Sequence, residues 1–154
     1  MVAYWDSSAL VALLIEEEKS VLARKLKGQT SQILTWVLTP VEVYSALCRL
    51  EKEGALSLND FQKCYEVWQT IENGLIFVKD IEAVKNISYR LLRLHSLKAA
   101  DSFQLASAIL SKQANEGFPF ITFDQRLEEA ALKEGFQIKN LNMVKPYFSA
   151  RVLK

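Results

Sequence analysis

The sequence predicts an α/β fold in which a mostly parallel central sheet of about four to five strands is covered by helices on both faces. Two observations carry this. Apolar runs of four to six residues (VAYW, QILTWV, LIFV, FITF, FQIKN) recur along the chain. Between them lie longer stretches with apolar residues at helical spacing, and strands that alternate with helices pair in parallel. A third observation sets the scale: 154 residues suffice for one domain around a single sizeable core.

The elements follow in order. Residues 2–5 form a short strand that stops at Asp6. A helix follows at 9–15, unbroken apolar and so covered on more than one side; 16–27 continue as a polar helical stretch ending at Gly28. Residues 32–37 make the second strand. Thr39-Pro40-Val41-Glu42 then opens a helix reaching about Glu53, with the pattern of a reciprocal capping box and proline where the first turn tolerates it. The next helix, 58–73, starts with Ser57 and Asp60 three places on, and stops at Gly74. A third strand at 75–78 precedes helices at 80–95 and 98–115. Gly117-Phe118-Pro119 breaks the chain before a fourth strand at 120–123. A helix at 124–134 closes at Gly135, and 136–140 makes a fifth strand. Residues 1–154 read as a single domain; the tail after Lys145 is assigned no element.

Composition excludes several classes. No run approaches eighteen apolar residues, so no membrane span is expected. The opening MVAYWDSSAL lacks a basic segment and meets an acid at position 6, which argues against a signal peptide and for a cytoplasmic protein. Cys48 and Cys64 lack CxxC spacing and the only histidine is His95, so a structural zinc site is not expected and both thiols read as reduced. A net charge of +1 does not mark a nucleic-acid binder, although a local groove can be basic while the total is neutral.

Ligands of parallel sheets gather at the carboxyl ends of the strands. Asp6 ends the first strand, Thr122 and Asp124 end the fourth, and Glu42 follows the second by a few residues. Asp101 stands out differently. In LKAADSFQLASAIL it shares a helix face with Leu97, Leu105 and Ala108, an apolar setting that is costly for a lone carboxylate. Each acid has an ordinary structural reading. Asp6 and Asp124 suit N-caps, Glu42 suits the capping box, and Asp101 suits a buried ion pair with Lys98 or an arginine. Convergence changes the balance. Two carboxylates ~5 Å apart repel by roughly 3 kcal/mol at an effective dielectric of 20. A cluster of four persists by protonating some members or by holding a cation. Without imidazole or thiolate ligands that cation is Mg²⁺ or Mn²⁺, and such ions suit phosphodiester hydrolysis.

The ordered segments VAYWDSSALVALL, TPVEVYSAL, LKAADSFQLASAIL and FITFDQRLEEAALKEGF closely resemble the PIN-domain family, and within it the VapC-type ribonuclease toxins of toxin–antitoxin pairs. The resemblance runs from Val2 to about Asn140. It implies a compact α/β/α sandwich and a Mg²⁺-dependent endoribonuclease, with Mn²⁺ as an alternative ion. The family's catalytic and metal-binding acids fall on Asp6, Glu42, Asp101 and Asp124. Asp6 and Asp101 would hold the main ion; Glu42 and Asp124 would hold its waters or a second ion. Ser7 and Thr122 would orient ligands or metal waters. Gln104 replaces a frequent histidine, with an effect expected on substrate contacts rather than chemistry. The resemblance further implies an RNA substrate, a cognate antitoxin protein, a homodimer and no membrane association.

Other residues keep two readings. Arg49, Lys52, Lys98 and Arg126 lie near the acids and suit phosphate contacts or plain solvated charges. Trp5, Trp36 and Trp68 suit the core, and His95 falls outside the motifs as a helix-end residue. The first helix and the surroundings of Tyr44 and Phe61 offer apolar surface to a dimer or to the core. The rival function is a catalytically weak PIN-fold protein that only binds RNA or a partner. A phosphoryl-accepting receiver would need a lysine just after FITF, which is missing, and the small size disfavours a DNA or flap nuclease.

Overall fold

A computed structural model describes residues 1–112 and 117–139. The end of the 98–115 helix beyond Lys112, the last residue of the 136–140 strand and the tail lie outside the described residues. Five strands, β1 (Val2–Trp5), β2 (Gln32–Trp36), β3 (Ile76–Val78), β4 (Pro119–Ile121) and β5 (Gln137–Ile138), form one sheet. Seven helices accompany them: α1 (Ser7–Val11), α2 (Ser20–Gln29), α3 (Thr39–Lys52), α4 (Leu58–Glu72), α5 (Ile81–Leu94), α6 (Ala99–Lys112) and α7 (Gln125–Lys133).

The strand order is β3-β2-β1-β4-β5 and every pairing is parallel. The chain therefore winds outward on one side of β1, then returns to build β4 and β5 on the other. The crevice between β1 and β4 is the point where the order reverses, and its carboxyl edge is where such sheets bind ligands. Helices that return the chain run against the strands, so the first turn of α6 lies at this same edge.

Side chains alternate across the strands and feed two cores. Ala3 and Trp5 face one core with Leu10, Leu26, Val43, Trp68 and Ile121. Tyr4 faces the other with Trp36, Leu91, Leu105, Phe120 and Leu127. All three tryptophans are buried, as expected. Helix α6 is the most enclosed, with Ser102, Gln104, Leu105, Ala106, Ser107 and Ala108 all buried. Its small residues allow close approach to the sheet. Among the described residues no helix is long and apolar enough to cross a membrane.

Several boundaries depart from expectation; β4 spans Pro119–Ile121 rather than 120–123, so it takes in the proline expected to break the chain and leaves Thr122 and Phe123 beyond its end. The first helix runs from Ser7 to Val11, not 9–15, because the Leu13 and Leu14 amides bond three residues back in a tightened turn. The Ser20 hydroxyl then donates to the Ile15 carbonyl at 2.6 Å and accepts from the Glu17 amide at 3.0 Å, so α2 starts at Ser20 rather than near Glu16. Helix α3 has Leu38 as its N-cap and no side-chain cap. Thr39 is fully buried instead, its hydroxyl 2.8 Å from Thr35 Oγ1. The expected capping box at Thr39 and Glu42 is therefore absent. The one at Ser57 and Asp60 is complete.

Candidate active site

Asp6 follows β1 directly and caps α1, its Oδ1 accepting from the Ala9 amide at 3.0 Å. It is 2% exposed. Two hydroxyls hold it: Ser8 donates to Oδ1 at 2.8 Å and Thr122 donates to Oδ2 at 2.9 Å. Burial pushes its pKa from 3.8 up to about 7, against the lowering effect of the Ala9, Ser8 and Thr122 bonds, and the charge of Glu42 adds to the rise. Near neutral pH this carboxyl is divided between its two forms.

Asp124 caps α7 in the same manner, Oδ1 accepting from the Leu127 amide at 3.0 Å. Its own amide donates to Thr122 Oγ1 at 3.1 Å. Thr122 thus links Asp6 to the start of α7 across the β1–β4 crevice. Glu42, in the first turn of α3, accepts from Ser7 Oγ at 2.8 Å and from Gln104 Nε2 at 3.0 Å. Burial raises its pKa, and the Asp101 charge raises it further against the lowering effect of Ser7 and Gln104.

Asp101 is not the deeply buried charge that its apolar neighbours suggest. Helix α6 begins at Ala99, so Asp101 sits in the first turn, half-buried, with Oδ2 accepting from the Lys98 amide at 3.3 Å. Its ion pair with Lys98 is not formed; Lys98 and Arg126 act on it only at longer range. Burial raises its pKa, the Asp124 charge adds to this, and the net shift is upward.

The four acids form a chain along the carboxyl edge. Glu42 acts on Asp6, Asp101 on Glu42, and Asp124 on Asp101, each raising its neighbour's proton affinity. None of the four has an ion-pair partner among the described residues. Nor do any three described Asp, Glu, His or Cys groups stand close enough to enclose a metal ion. The donor set is all oxygen and its members repel one another, opposed among charged groups only by Lys98 and Arg126 at longer range, which fits a hard, partly hydrated divalent cation rather than a tight protein cage.

Two cavities flank the acids. One, of about 550 Å³, is walled by Ser7, Ser8, Glu42, Arg49 and Phe123 among others. The second, of about 660 Å³, is lined by Lys98, Asp101, Asp124, Gln125, Arg126 and Glu129. Of the four candidate cations, Arg49 faces the first and Lys98 and Arg126 the second; Lys52 faces neither. His95 closes α5 away from the acids and meets Glu134 at 2.8 Å.

Sequence reasoning missed two supports. Gln104 does not face substrate: it is 1% exposed, donates to Glu42 and to Thr39 Oγ1 at 2.9 Å, and accepts from the Tyr4 hydroxyl at 2.7 Å. Ser8, the second serine of DSS, bonds Asp6 and accepts from the Phe123 amide at 2.8 Å. Only the presence of an amide amid α6's apolar face, and of a second hydroxyl after Asp6, signalled either.

Acids strung along the carboxyl edge at the switch point of a parallel five-stranded sheet define the class, and the PIN domain profile matches residues 3–133. The chain belongs to the PIN domain family. Among its relatives, the chain is 28% identical over 135 residues to Ribonuclease VapC45 and, equally, to Ribonuclease VapC49, from two strains of Mycobacterium tuberculosis, with 88% of this chain and 92% of each relative covered. The crystal structure of PAE2754 from Pyrobaculum aerophilum shares its fold, with a TM-score of 0.59, 21% identity and 92% of both chains covered.

Proposed function

We propose that the protein is a metal-dependent endoribonuclease of the VapC toxin kind, with Asp6, Glu42, Asp101 and Asp124 as its working acids. The observation that carries this reading is the chain of mutually repelling carboxylates at the β1–β4 crevice, none with an ion-pair partner among the described residues. The two relatives named as VapC ribonucleases support the RNA substrate and, with it, a cognate antitoxin; a homodimer belongs to the same proposal.

Asp6 and Asp101 would hold Mg²⁺ or Mn²⁺, with Glu42 and Asp124 receiving its waters. A bound ion would supply a water of lowered pKa and charge stabilisation for the leaving oxygen. The protein's own groups set up that arrangement. Ser8 and Thr122 aim the Asp6 carboxylate, Ser7 and Gln104 aim that of Glu42, and Lys98 and Arg126 bring positive charge beside Asp101 for a phosphate.

The test is cleavage of labelled single-stranded RNA with Mg²⁺ or Mn²⁺ and with EDTA. Cutting is expected only with the ion, and lost in Asp101→Asn and Asp6→Asn. Full cleavage by both variants overturns the assignment. One observation favours a second reading, a weakly catalytic binder: among the described residues no three acids are gathered to enclose an ion. RNA binding indifferent to EDTA, without cleavage, would select it.

A further inference from the structure

We propose that the cavity between α1 and α3, beside Glu42, is a nucleobase subsite; this deepens the ribonuclease reading and rests on it. The two cavities flanking the acids differ in chemistry. The second is lined entirely by polar or charged side chains. The first is lined by the apolar Val11, Ile15, Ala46, Leu50 and Phe123 together with Glu42 and Ser7. A nucleotide is likewise two-sided: a planar base with apolar faces joined to an anionic sugar-phosphate. Only the first cavity provides for both parts.

Its volume, about 550 Å³, lies within the range of about 300–1,000 Å³ typical of small-molecule sites. Its rim supplies the charge. Lys19 donates to the Phe123 carbonyl at 3.0 Å and stands 5.7 Å from the centre of the Phe123 ring, which fixes an ammonium at the cavity's edge. Two of its three hydrogens stay available for a phosphate. Arg49, exposed on the same rim, has no ion-pair partner among the described residues. Against these two cations stand Glu17 and Glu42. A peptide could fill an apolar groove, but cations at the mouth and a shared wall with Glu42 favour a strand whose phosphate continues to the acids. A base seated here would then set the sequence at the cut.

The test uses the Asp101→Asn protein in EDTA with a single-stranded oligoribonucleotide carrying one 4-thiouridine, so that binding is read without cleavage. Photo-crosslinks are expected within residues 11–15, at 41–50 or at Phe123. Ala46→Trp, which fills the cavity, is expected to bind about tenfold more weakly. Arg49→Gln, a surface change that leaves packing intact, should weaken binding and flatten its salt dependence. Crosslinks confined to the α6–α7 cavity, or absent, overturn the subsite, as do both variants binding like the parent. A wild-type protein that crosslinks in this cavity yet cuts no RNA with Mg²⁺ or Mn²⁺ would support the subsite while overturning the ribonuclease reading.

Discussion

The side-chain amide of Gln104 donates to Glu42 Oε1 at 3.0 Å from within the buried face of α6. Its second hydrogen goes to Thr39 and its oxygen accepts from Tyr4, so every polar atom of this amide is used. Gln104→Leu would leave Tyr4 without its acceptor and Glu42 without a donor. The expected loss is about 1–3 kcal/mol of stability and about tenfold in RNA cleavage. Urea unfolding and single-turnover cleavage check both; a variant that cleaves as fast as the parent removes the positioning role.

Asp6 makes the metal-free fold sensitive to pH. Its folded pKa of about 7 lies above the ordinary 3.8, so the native state holds the proton more tightly than the unfolded chain. Stability in EDTA should be full below pH 3.8 and fall as pH climbs to about 7, by up to about 4 kcal/mol for this group. Asparagine can still cap α1. Asp6→Asn should therefore be more stable than the parent at about pH 8 in EDTA, by on the order of 2 kcal/mol. Mn²⁺ should raise the melting temperature of the parent and not of the variant. Equal stability of the two proteins at that pH would count against the burial argument.

Thr122 donates to Asp6, accepts from the Asp124 amide and lies 3.3 Å from the Ser8 hydroxyl. Thr122→Val keeps the shape and removes these bonds. The expected cost is about 1–3 kcal/mol, with about tenfold weaker Mn²⁺ binding by calorimetry. Thr122→Ser, which restores the hydroxyl, should recover the Mn²⁺ affinity. Failure of serine to do so would show that packing, not the hydroxyl, matters.

Glu134 joins α7 to α5 away from the acids. Arg90 meets its two carboxyl oxygens at 3.0 and 2.9 Å, and His95 Nε2 lies 2.8 Å from Oε1. The Arg90 hydrogen bond is the main cause of its lowered pKa; burial opposes this and His95 adds to it. The pair's stabilisation is present above pH 4.5 and lost as pH falls through the depressed value. Glu134→Gln should cost about 1 kcal/mol at neutral pH, since Arg90 is half exposed. The gap to the parent should close in acid, and RNA cleavage should be unchanged. A gap that persists in acid would point to packing instead.

Much of this protein was legible in its linear pattern. Each apolar run became a strand, each helical period a helix, and Asp6, Asp124 and Ser57 capped where expected. These features depend on neighbours within a turn or two, so local residue chemistry determines them. The four segments also identified the family. Tertiary structure alone decided how the acids are served. Ser7 reaches Glu42 across 35 positions, Gln104 reaches it across 62, and Thr122 reaches Asp6 across 116. No local pattern encodes such pairs, because the order of strands in the sheet brings them together. For the same reason Thr39 turned inward instead of capping, and Asp101 came to rest half-buried at the mouth of α6. The sequence by itself determined which carboxylates stand at the sheet's edge. The fold decided how near they come and which hydrogen bonds hold them, since only packing sets the distances on which their repulsion depends.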